Sequence, residues 1–315
     1  METQKTCPAC HAPDVHTEAE YGTFATLACD ECGHMLLERP IAPTQPDDYI
    51  VADDAALRRM LKSTRDKEFD LCIGMVKEHV HGGQWLDIGC SFGWFLDRIR
   101  AGGYESFGIE PSPTAFDFAS KSSPGRVLNG EFPDTLATAQ GFPPQFSVLS
   151  AMDVLEHIPD PSAFLGAARE MLTPGGALLL KVPSNDGILF RLTSKLSSPK
   201  RHATLGRLWQ VDFNYPHWHY YCQESIRRMV EQHGFRIVAQ RSIPFSFLST
   251  AHDRVRNYDG KHEPLLGRAA KTIAAYLLIS LSYLVRRFDN VIVVATPHTT
   301  APATAASFNK NRQSE

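Results

Sequence analysis

Short apolar runs alternate with amphipathic stretches through the middle of this chain. Apolar runs bounded by turn residues predict buried strands, whereas apolar positions repeating every three to four residues predict helices. The pattern predicts strands over 84–88, 106–109, 126–128, 146–152, 177–182, 235–240 and 290–295. Helices are predicted over 93–101, 113–120, 161–172 and 223–233. Such alternation favours an α/β fold with an open, mostly parallel sheet.

A further amphipathic stretch precedes the first of these strands. It predicts a helix that is capped by Asp53 or Asp54 and ends near His79, before Gly82. We expect this helix to pack on the main domain beside its ligand. The proline-rich segment 41–52 reads as a linker, and the tail 297–315, rich in Ala, Thr and Ser, is expected to be disordered.

Composition is that of an ordinary globular protein. The chain has 315 residues, 43% hydrophobic residues and a net charge of −3, so global charge indicates no particular partner. No apolar run reaches the roughly 18 residues that a membrane-spanning helix needs. The N-terminus lacks the apolar region of a secretory signal, and we expect a cytoplasmic protein.

Four cysteines in two C-x-x-C pairs predict a zinc site near the N-terminus. Each pair presents two thiolates to one tetrahedral ion, and the span between the pairs suits a β-hairpin. Four thiolates leave no open position, which favours a structural Zn²⁺ over a catalytic one. Few basic residues surround the pairs, so nucleic-acid binding is disfavoured. The predicted ligands are Cys7, Cys10, Cys29 and Cys32.

The strand at 84–88 leads through two glycines into a helix, an arrangement that aims backbone N–H groups at a ligand. Asp87 precedes Gly89 and Gly93, and its carboxylate would be a poor neighbour for a pyrophosphate. An ammonium or sulfonium group would suit it better. Glu110 ends the next strand, where a carboxylate can accept both hydroxyls of a ribose. A nicotinamide dinucleotide is a distant alternative, because its turn reads G-x-G-x-x-G without the preceding acid.

These motifs together resemble those of the class I S-adenosylmethionine-dependent methyltransferases. The resemblance rests on Leu86-Asp-Ile-Gly-Cys-Ser-Phe-Gly93, Gly-Ile-Glu110-Pro, Gly130-Glu131, Met152-Asp-Val-Leu-Glu-His-Ile158 and Leu172-Thr-Pro-Gly-Gly176. It implies a Rossmann-like, seven-stranded sheet whose last strand is antiparallel. Ser91 replaces the usual middle glycine, a departure that the turn can tolerate.

The resemblance also implies how the cofactor S-adenosylmethionine is held. Asp87, Gly89 and Gly93 would hold its methionine part, and Glu110 its ribose. The adenine would lie beside Gly130 and Glu131, while the end of the strand predicted over 146–152 would contribute the pocket lining. The full predicted set is Asp87, Gly89, Cys90, Gly93, Glu110, Pro111, Gly130, Glu131, Met152 and Asp153.

Catalytic residues are less clearly indicated. His157 follows the strand predicted over 146–152, where the transferred methyl group should face the acceptor. It could serve as a general base. Glu156 and His157 could instead only cap and position the following loop. His217 or His219 could be the base in place of His157. Positioning of the reactants could also supply most of the catalysis.

Two predicted insertions bear on the identity of the methyl acceptor. The first, 184–222, carries basic residues that form either a solvated face or a lid attracting an anionic acceptor, such as a phosphorylated sugar, nucleotide-linked sugar or lipid phosphate. These residues are Arg191, Lys195, Lys200, Arg201 and Arg207. The second, 245–288, contains an apolar helical segment at 264–287. That helix could pack on the sheet, lie in a membrane interface or contact a second subunit.

The sequence thus predicts a zinc-ribbon-like segment over 1–40 and a methyltransferase domain over 53–296. Its predicted reaction transfers the methyl group of S-adenosylmethionine to an oxygen or carbon of a small-molecule, sugar or lipid-linked glycan acceptor. The alternative is a cofactor-binding scaffold whose zinc module recruits a protein partner. The enzyme would be cytoplasmic, with peripheral membrane contact through 264–287 as one option.

Overall fold

The computed structural model describes residues 6–13, 15–21, 24–39, 55–196, 200–211, 215–250 and 265–298. The predicted linker over 41–52 and the predicted cap at Asp53 or Asp54 lie outside these ranges, as does the tail beyond residue 298. The strands in chain order are β1 (Val15–Glu20), β2 (Ala25–Cys29), β3 (Met35–Leu37), β4 (Gln84–Ile88), β5 (Glu105–Glu110), β6 (Val127–Asn129), β7 (Phe146–Met152), β8 (Leu172–Pro183), β9 (His219–Tyr220), β10 (Phe235–Ile243) and β11 (Asn290–Pro297).

Nine helices accompany these strands in the described part of the chain. They are α1 (Ala55–Lys77), α2 (Trp94–Ala101), α3 (Pro113–Ser122), α4 (Asp134–Ala137), α5 (Pro161–Glu170), α6 (Ile188–Ser194), α7 (Lys200–Leu208), α8 (Gln223–Gln232) and α9 (Leu265–Val285). Short 3-10 turns follow at Leu155–His157 and Leu248–Thr250. No helix in the described ranges is long and apolar enough to cross a bilayer.

The predicted seven-stranded sheet is confirmed. Its order is β10-β11-β8-β7-β4-β5-β6, and β11 runs antiparallel to both of its neighbours. The strands β4, β5, β6, β7 and β8 pair in parallel. Adjacent β4 and β7 send their connections to opposite sides, which makes the carboxyl ends of these two strands the natural ligand crevice.

Several element boundaries differ from the predictions. The helix expected over 161–172 ends at Glu170, and β8 begins at Leu172 rather than at residue 177. Leu172 pairs with Phe146 of β7, so the Thr-Pro-Gly-Gly segment continues the strand through an irregular register. At the other end, β11 includes Pro297, and the N–H of His298 donates to the carbonyl of Gly234.

Apolar side chains cover both faces of the large sheet. Leu86, Leu149 and Leu180 face one side, and Trp85, Val148 and Leu179 face the other. This alternation is what a strand covered on both faces requires. Helix α1 packs across α2 and reaches the crevice through Arg65 and Phe69.

A second, four-stranded sheet joins the N-terminal segment to the main domain. Its order is β1-β2-β3-β9, and β9 belongs to the insertion at 184–222. Leu36 of β3 pairs with His219, and the Leu37 N–H donates to the Trp218 carbonyl at 3.0 Å. Phe24 and Leu37 pack with Trp209 in a shared apolar cluster. The cysteine-rich segment is therefore paired with and packed against the 184–222 insertion rather than only tethered to the main domain.

Candidate functional site

The turn after β4 is built from residues in left-handed backbone conformations. Gly89, Ser91 and Gly93 have φ angles of 71°, 49° and 75°. A Cβ on Gly89 would lie 2.6 Å from Cγ2 of Val154, so only glycine fits there. Gly93 immediately precedes α2 and packs against Ala119. The turn thus brings backbone close to whatever occupies the crevice.

Asp87 is buried at the end of β4 and is held by a short hydrogen-bonded chain. The Trp85 indole N–H donates to the Ser150 hydroxyl at 2.8 Å, and that hydroxyl donates to Asp87 at 2.6 Å. Burial raises the pKa of Asp87 to about 7, although the Ser150 hydrogen bond opposes the rise. A cationic ligand group beside this carboxyl would favour its ionised form.

Glu110 clamps the two loops that border the crevice. Its Oε2 accepts from the Ser91 N–H at 2.7 Å, and its Oε1 accepts from the Ser112 N–H at 2.9 Å. Glu110 therefore fixes the turn and also presents acceptors to the cavity beside it.

Two cavities follow this crevice, and every predicted cofactor residue except Gly93 lines one of them. A cavity of about 280 Å³ is lined by Asp87, Gly89, Cys90, Met152 and Asp153, together with Arg65 and Trp94. A neighbouring cavity of about 270 Å³ is lined by Glu110, Pro111, Gly130 and Glu131, and again by Gly89 and Asp153. Two connected compartments suit an elongated ligand with a charged end and a nucleoside end.

A third cavity, of about 220 Å³, opens on the other side of Asp153. The buried Lys181 places its Nζ 2.8 Å from Asp153 Oδ2 and 2.9 Å from Glu68 Oε1. Arg65 lies 3.5 Å from the same Asp153 oxygen. The sequence-based predictions missed Arg65 and Lys181. A single charge within the apolar run of β8 was the signal that could have revealed Lys181.

His157 and His217 both line this third cavity, and their ring centroids are 4.7 Å apart. His157 Nδ1 lies 3.1 Å from the Pro216 carbonyl oxygen; donation of the Nδ1 proton to that oxygen leaves Nε2 as an acceptor. Burial lowers the pKa of both rings. Burial also raises the pKa of the neighbouring Glu156, which favours its neutral form. Glu156, His157 and His217 could also together hold a metal ion, since their ligand atoms lie within 4.8 Å of one another.

His219 has a different position from the other two histidines. It is buried beneath the N-terminal segment, with Nδ1 3.1 Å from Nε2 of His34 and Nε2 3.4 Å from the Pro159 carbonyl oxygen. It does not line any of the three cavities. Its contacts are those of a residue that joins two parts of the structure.

Of the basic residues in the 184–222 insertion whose side chains the structure describes, Arg191, Lys195 and Arg207 do not line these three cavities either. Arg191 is paired with Asp186 at 3.1 Å and lies near the N-terminal segment. Inside the third cavity, the cations Arg65 and Lys181 are balanced by Glu68 and Asp153. The structure therefore gives no support to the expected anionic acceptor.

The four predicted zinc ligands converge in the N-terminal segment. Their sulfur atoms all lie within 4.8 Å of one another, with Cys7 and Cys32 at 3.6 Å and Cys10 and Cys29 at 3.5 Å. None is in a disulfide. Tetrahedral Zn²⁺ with bonds of about 2.3 Å separates its sulfur ligands by about 3.8 Å, so this cluster fits the ion.

The cysteine-rich segment is hydrogen-bonded to residues that lie close in the chain to Pro183 and His217, which line the third cavity. Cys222 Sγ donates to the Cys32 carbonyl at 3.0 Å, and the Asn185 amide donates to the Gly33 carbonyl at 2.8 Å. Through β3 and β9, the same segment fixes the strand that follows His217. The Trp218 N–H in turn donates to the Glu156 carbonyl at 2.7 Å. The cluster thus helps to position His157 and His217.

Comparison with known proteins agrees with this geometry. The sequence matches the family model of the methyltransferase domain over residues 57–240. A ubiquinone biosynthesis O-methyltransferase from Rhodopseudomonas palustris is 27% identical over 165 residues, which cover 51% of this chain and 60% of that protein. The mitochondrial ubiquinone biosynthesis O-methyltransferase of Schizosaccharomyces pombe is 33% identical over 119 residues, covering 37% and 43%. The chain spans about half the length of these curated relatives.

Among solved structures, the cyclopropane synthase MmaA2 from Mycobacterium tuberculosis superposes with a TM-score of 0.55. The match covers 82% of this chain and 100% of that one at 17% sequence identity. At that identity the likeness concerns the fold.

We expect zinc removal to loosen the cavity wall. The purified chain should hold one zinc ion, and stripping it with a chelator should speed hydrogen exchange at His219 and Tyr220, because their strand partner would lose its support. Hydrogen-exchange mass spectrometry measures this, with β4 as the internal control that keeps its protection. Unchanged exchange in β9 after complete zinc loss would refute the coupling.

We also expect Asp87 to titrate near neutrality. A carbon-13 NMR titration of its carboxyl should show an inflection at pH about 7. A folded-state pKa above the unfolded value means that this carboxyl favours folding at low pH and loses that contribution as the pH rises through 7. Ser150→Ala should move the inflection upward by removing a hydrogen bond to the ionised form. Ser147→Ala on the same strand should leave it in place, and an inflection below pH 5 in the wild type would contradict the assignment.

Proposed function

We propose that this chain, which belongs to the methyltransferase-domain family, transfers the methyl group of S-adenosylmethionine to a hydroxyl oxygen of a small molecule. One observation carries the proposal: Asp153 lines all three cavities. A ligand in the two cofactor cavities would therefore meet a ligand in the third cavity at Asp153. Transfer between two bound molecules requires such a junction.

The family and the geometry support the same cofactor. Asp87 would face the cationic methionine end, while Glu110 would accept from ribose hydroxyls and Gly130 would border the adenine. Gly130 suits a close approach, since its φ of 147° and the nearby Thr135 hydroxyl leave no room for a side chain.

His157 is our choice for the proton acceptor. Bound S-adenosylmethionine supplies an electrophilic methyl group on a positively charged sulfur. An acceptor hydroxyl in the third cavity must lose its proton as the new carbon–oxygen bond forms. Nε2 of His157 can take that proton, because Nδ1 is directed at the Pro216 carbonyl. His217 packs edge-on against the His157 ring and restricts its orientation.

The third cavity supports a neutral, partly polar acceptor. Its charged groups are mutually paired, and Pro244, Phe245 and Phe247 give it an apolar side. The relatives named as ubiquinone biosynthesis O-methyltransferases support oxygen as the methylated atom and a small molecule as the acceptor. Sugar and glycan acceptors have no corresponding support.

Cofactor binding tests the first half of the proposal. We expect calorimetric titration to show one S-adenosylmethionine site per chain, and Glu110→Gln to weaken binding about tenfold to a hundredfold by removing charged hydrogen bonds. Glu105→Gln makes the same chemical change at the other end of β5 and should bind as the wild type does. Absence of heat with zinc-loaded protein would overturn the enzyme proposal.

Proton transfer tests the second half. A labelled-methyl screen over small phenols, sugar nucleotides and lipids identifies the acceptor, and kcat is then measured for His157→Gln. We expect a fall of about a hundredfold or more from loss of the base. Because burial lowers the pKa of His157, wild-type kcat should fall only below the usual histidine range as the pH decreases. His81→Gln, at an exposed histidine before β4, is the control. Equal kcat values for His157→Gln and the wild type would remove His157 from the mechanism.

A further inference from the structure

Exposed large apolar side chains are concentrated on one part of this protein. Among the described residues they all lie on or beside α6, α9 and the 3-10 turn at Leu248–Thr250, apart from Tyr215. They are Leu192, Leu196, Leu248, Ile273, Tyr276, Leu277, Leu281, Tyr283, Leu284 and Val285. Helix α9 packs against both α6 and the turn, so these side chains belong to neighbouring elements. We call this surface the apolar face.

Helix α9 exposes most of its large apolar side chains, whereas an ordinary surface helix buries them. Toward the protein it buries Ala275, Ile279 and Ser282, which are spaced as one helical stripe. Toward solvent it presents Leu277, which is 65% exposed, and Leu284, which is 79% exposed. A soluble monomer rarely exposes contiguous apolar side chains of this size, so such a face is expected to meet another apolar phase.

Among the residues that the structure describes, the charged side chains beside the apolar face are mainly positive. Helix α9 contains no acidic residue between Leu265 and Val285. Lys271, about two turns inside the helix, and Arg286, just beyond its C-terminal end, are exposed. Arg191 and Arg287 share the single carboxylate of Asp186, at 3.1 and 3.3 Å, which leaves that group with an excess of positive charge.

We propose that the apolar face docks on an anionic lipid surface, with α9 lying in the plane of the membrane interface. Leucine and isoleucine side chains would enter the acyl boundary, while Tyr276 and Tyr283 would sit at headgroup level, where tyrosine is favoured. The flanking cations would contact lipid phosphates. This inference goes beyond the methyl-transfer proposal and does not depend on it.

A second copy of the chain is a less suitable occupant. If two α9 helices paired antiparallel, Lys271 of each copy would meet Arg286 of the other. If they paired in parallel, like residues would face each other. Either arrangement brings positive charges together without an acid on the helix to offset them. A membrane with anionic lipids removes this repulsion.

The apolar face is also structurally connected to the third cavity. Leu248, which is exposed, directly follows Phe247, which lines that cavity. Asp289, just after α9, accepts from the Leu189 N–H at 2.9 Å and from the Phe245 N–H at 3.4 Å. Docking would therefore place the cavity-lining segment 244–247 close to the lipid surface, a position from which a lipophilic acceptor could enter.

Vesicle cosedimentation of the full zinc-loaded chain tests the proposal. We expect the wild type to pellet with vesicles of phosphatidylcholine and phosphatidylglycerol and to bind pure phosphatidylcholine vesicles much more weakly. A Leu277→Ser, Leu284→Ser double variant should lower the partition coefficient about tenfold or more, because two large exposed apolar groups are lost. Arg286→Gln should lower binding to the anionic vesicles only.

Controls keep these outcomes decisive. Lys121→Gln removes an exposed cation on α3, away from the apolar face, and should bind as the wild type does. Circular dichroism melting of each variant checks that it remains folded. Failure of the folded wild type to bind anionic vesicles would overturn the proposal. A wild-type dimer in sedimentation velocity that the double variant converts to monomer, without vesicle binding, would assign the face to a second copy instead.

Discussion

The ion cluster around Lys181 is the interaction on which the site depends most. A buried ammonium is strongly unfavourable unless it is paired, and here two carboxylates from different elements surround it. Burial alone would lower the pKa of Lys181, but Asp153 and Glu68 more than compensate and raise it. Because Glu68 lies on α1 and Asp153 follows β7, the cluster holds the N-terminal helix over the crevice. Removing either acid would leave charge uncompensated in the interior.

The sheet and the cofactor residues were accessible from sequence because both arise from local pattern. Apolar runs identified all seven strands of the large sheet, and the Asp87-to-Gly93 turn lies at the crevice between β4 and β7. The carboxyl ends of neighbouring parallel strands converge without further information. Boundaries were missed where pairing overrode local preference, as at Leu172, whose position opposite Phe146 extends β8 into a Pro-Gly-Gly segment.

Residues of the third cavity could not be predicted from sequence in the same way. Arg65 and Lys181 come from separate elements, and only the folded structure shows that they surround Asp153. The three candidate histidines looked equivalent in sequence. Strand pairing separates them: His217 lines the cavity, whereas His219, two residues later and paired with Leu36, lies against His34. The basic insertion similarly left a solvated face and a lid as alternatives, because composition alone cannot show where side chains point.

The four-stranded sheet that β9 shares with β1, β2 and β3 has a thermodynamic consequence. One backbone segment carries both the cavity residue His217 and the Cys222 contact to the cysteine cluster. If a cavity ligand binds more tightly when metal has ordered this segment, linkage requires that filling the cavity raise the metal affinity by the same factor. Metal binding at the N-terminal segment would then raise the affinity of the third cavity for its ligand. Ligand binding in the cavity would raise the affinity of the cysteine cluster for its metal by the same factor.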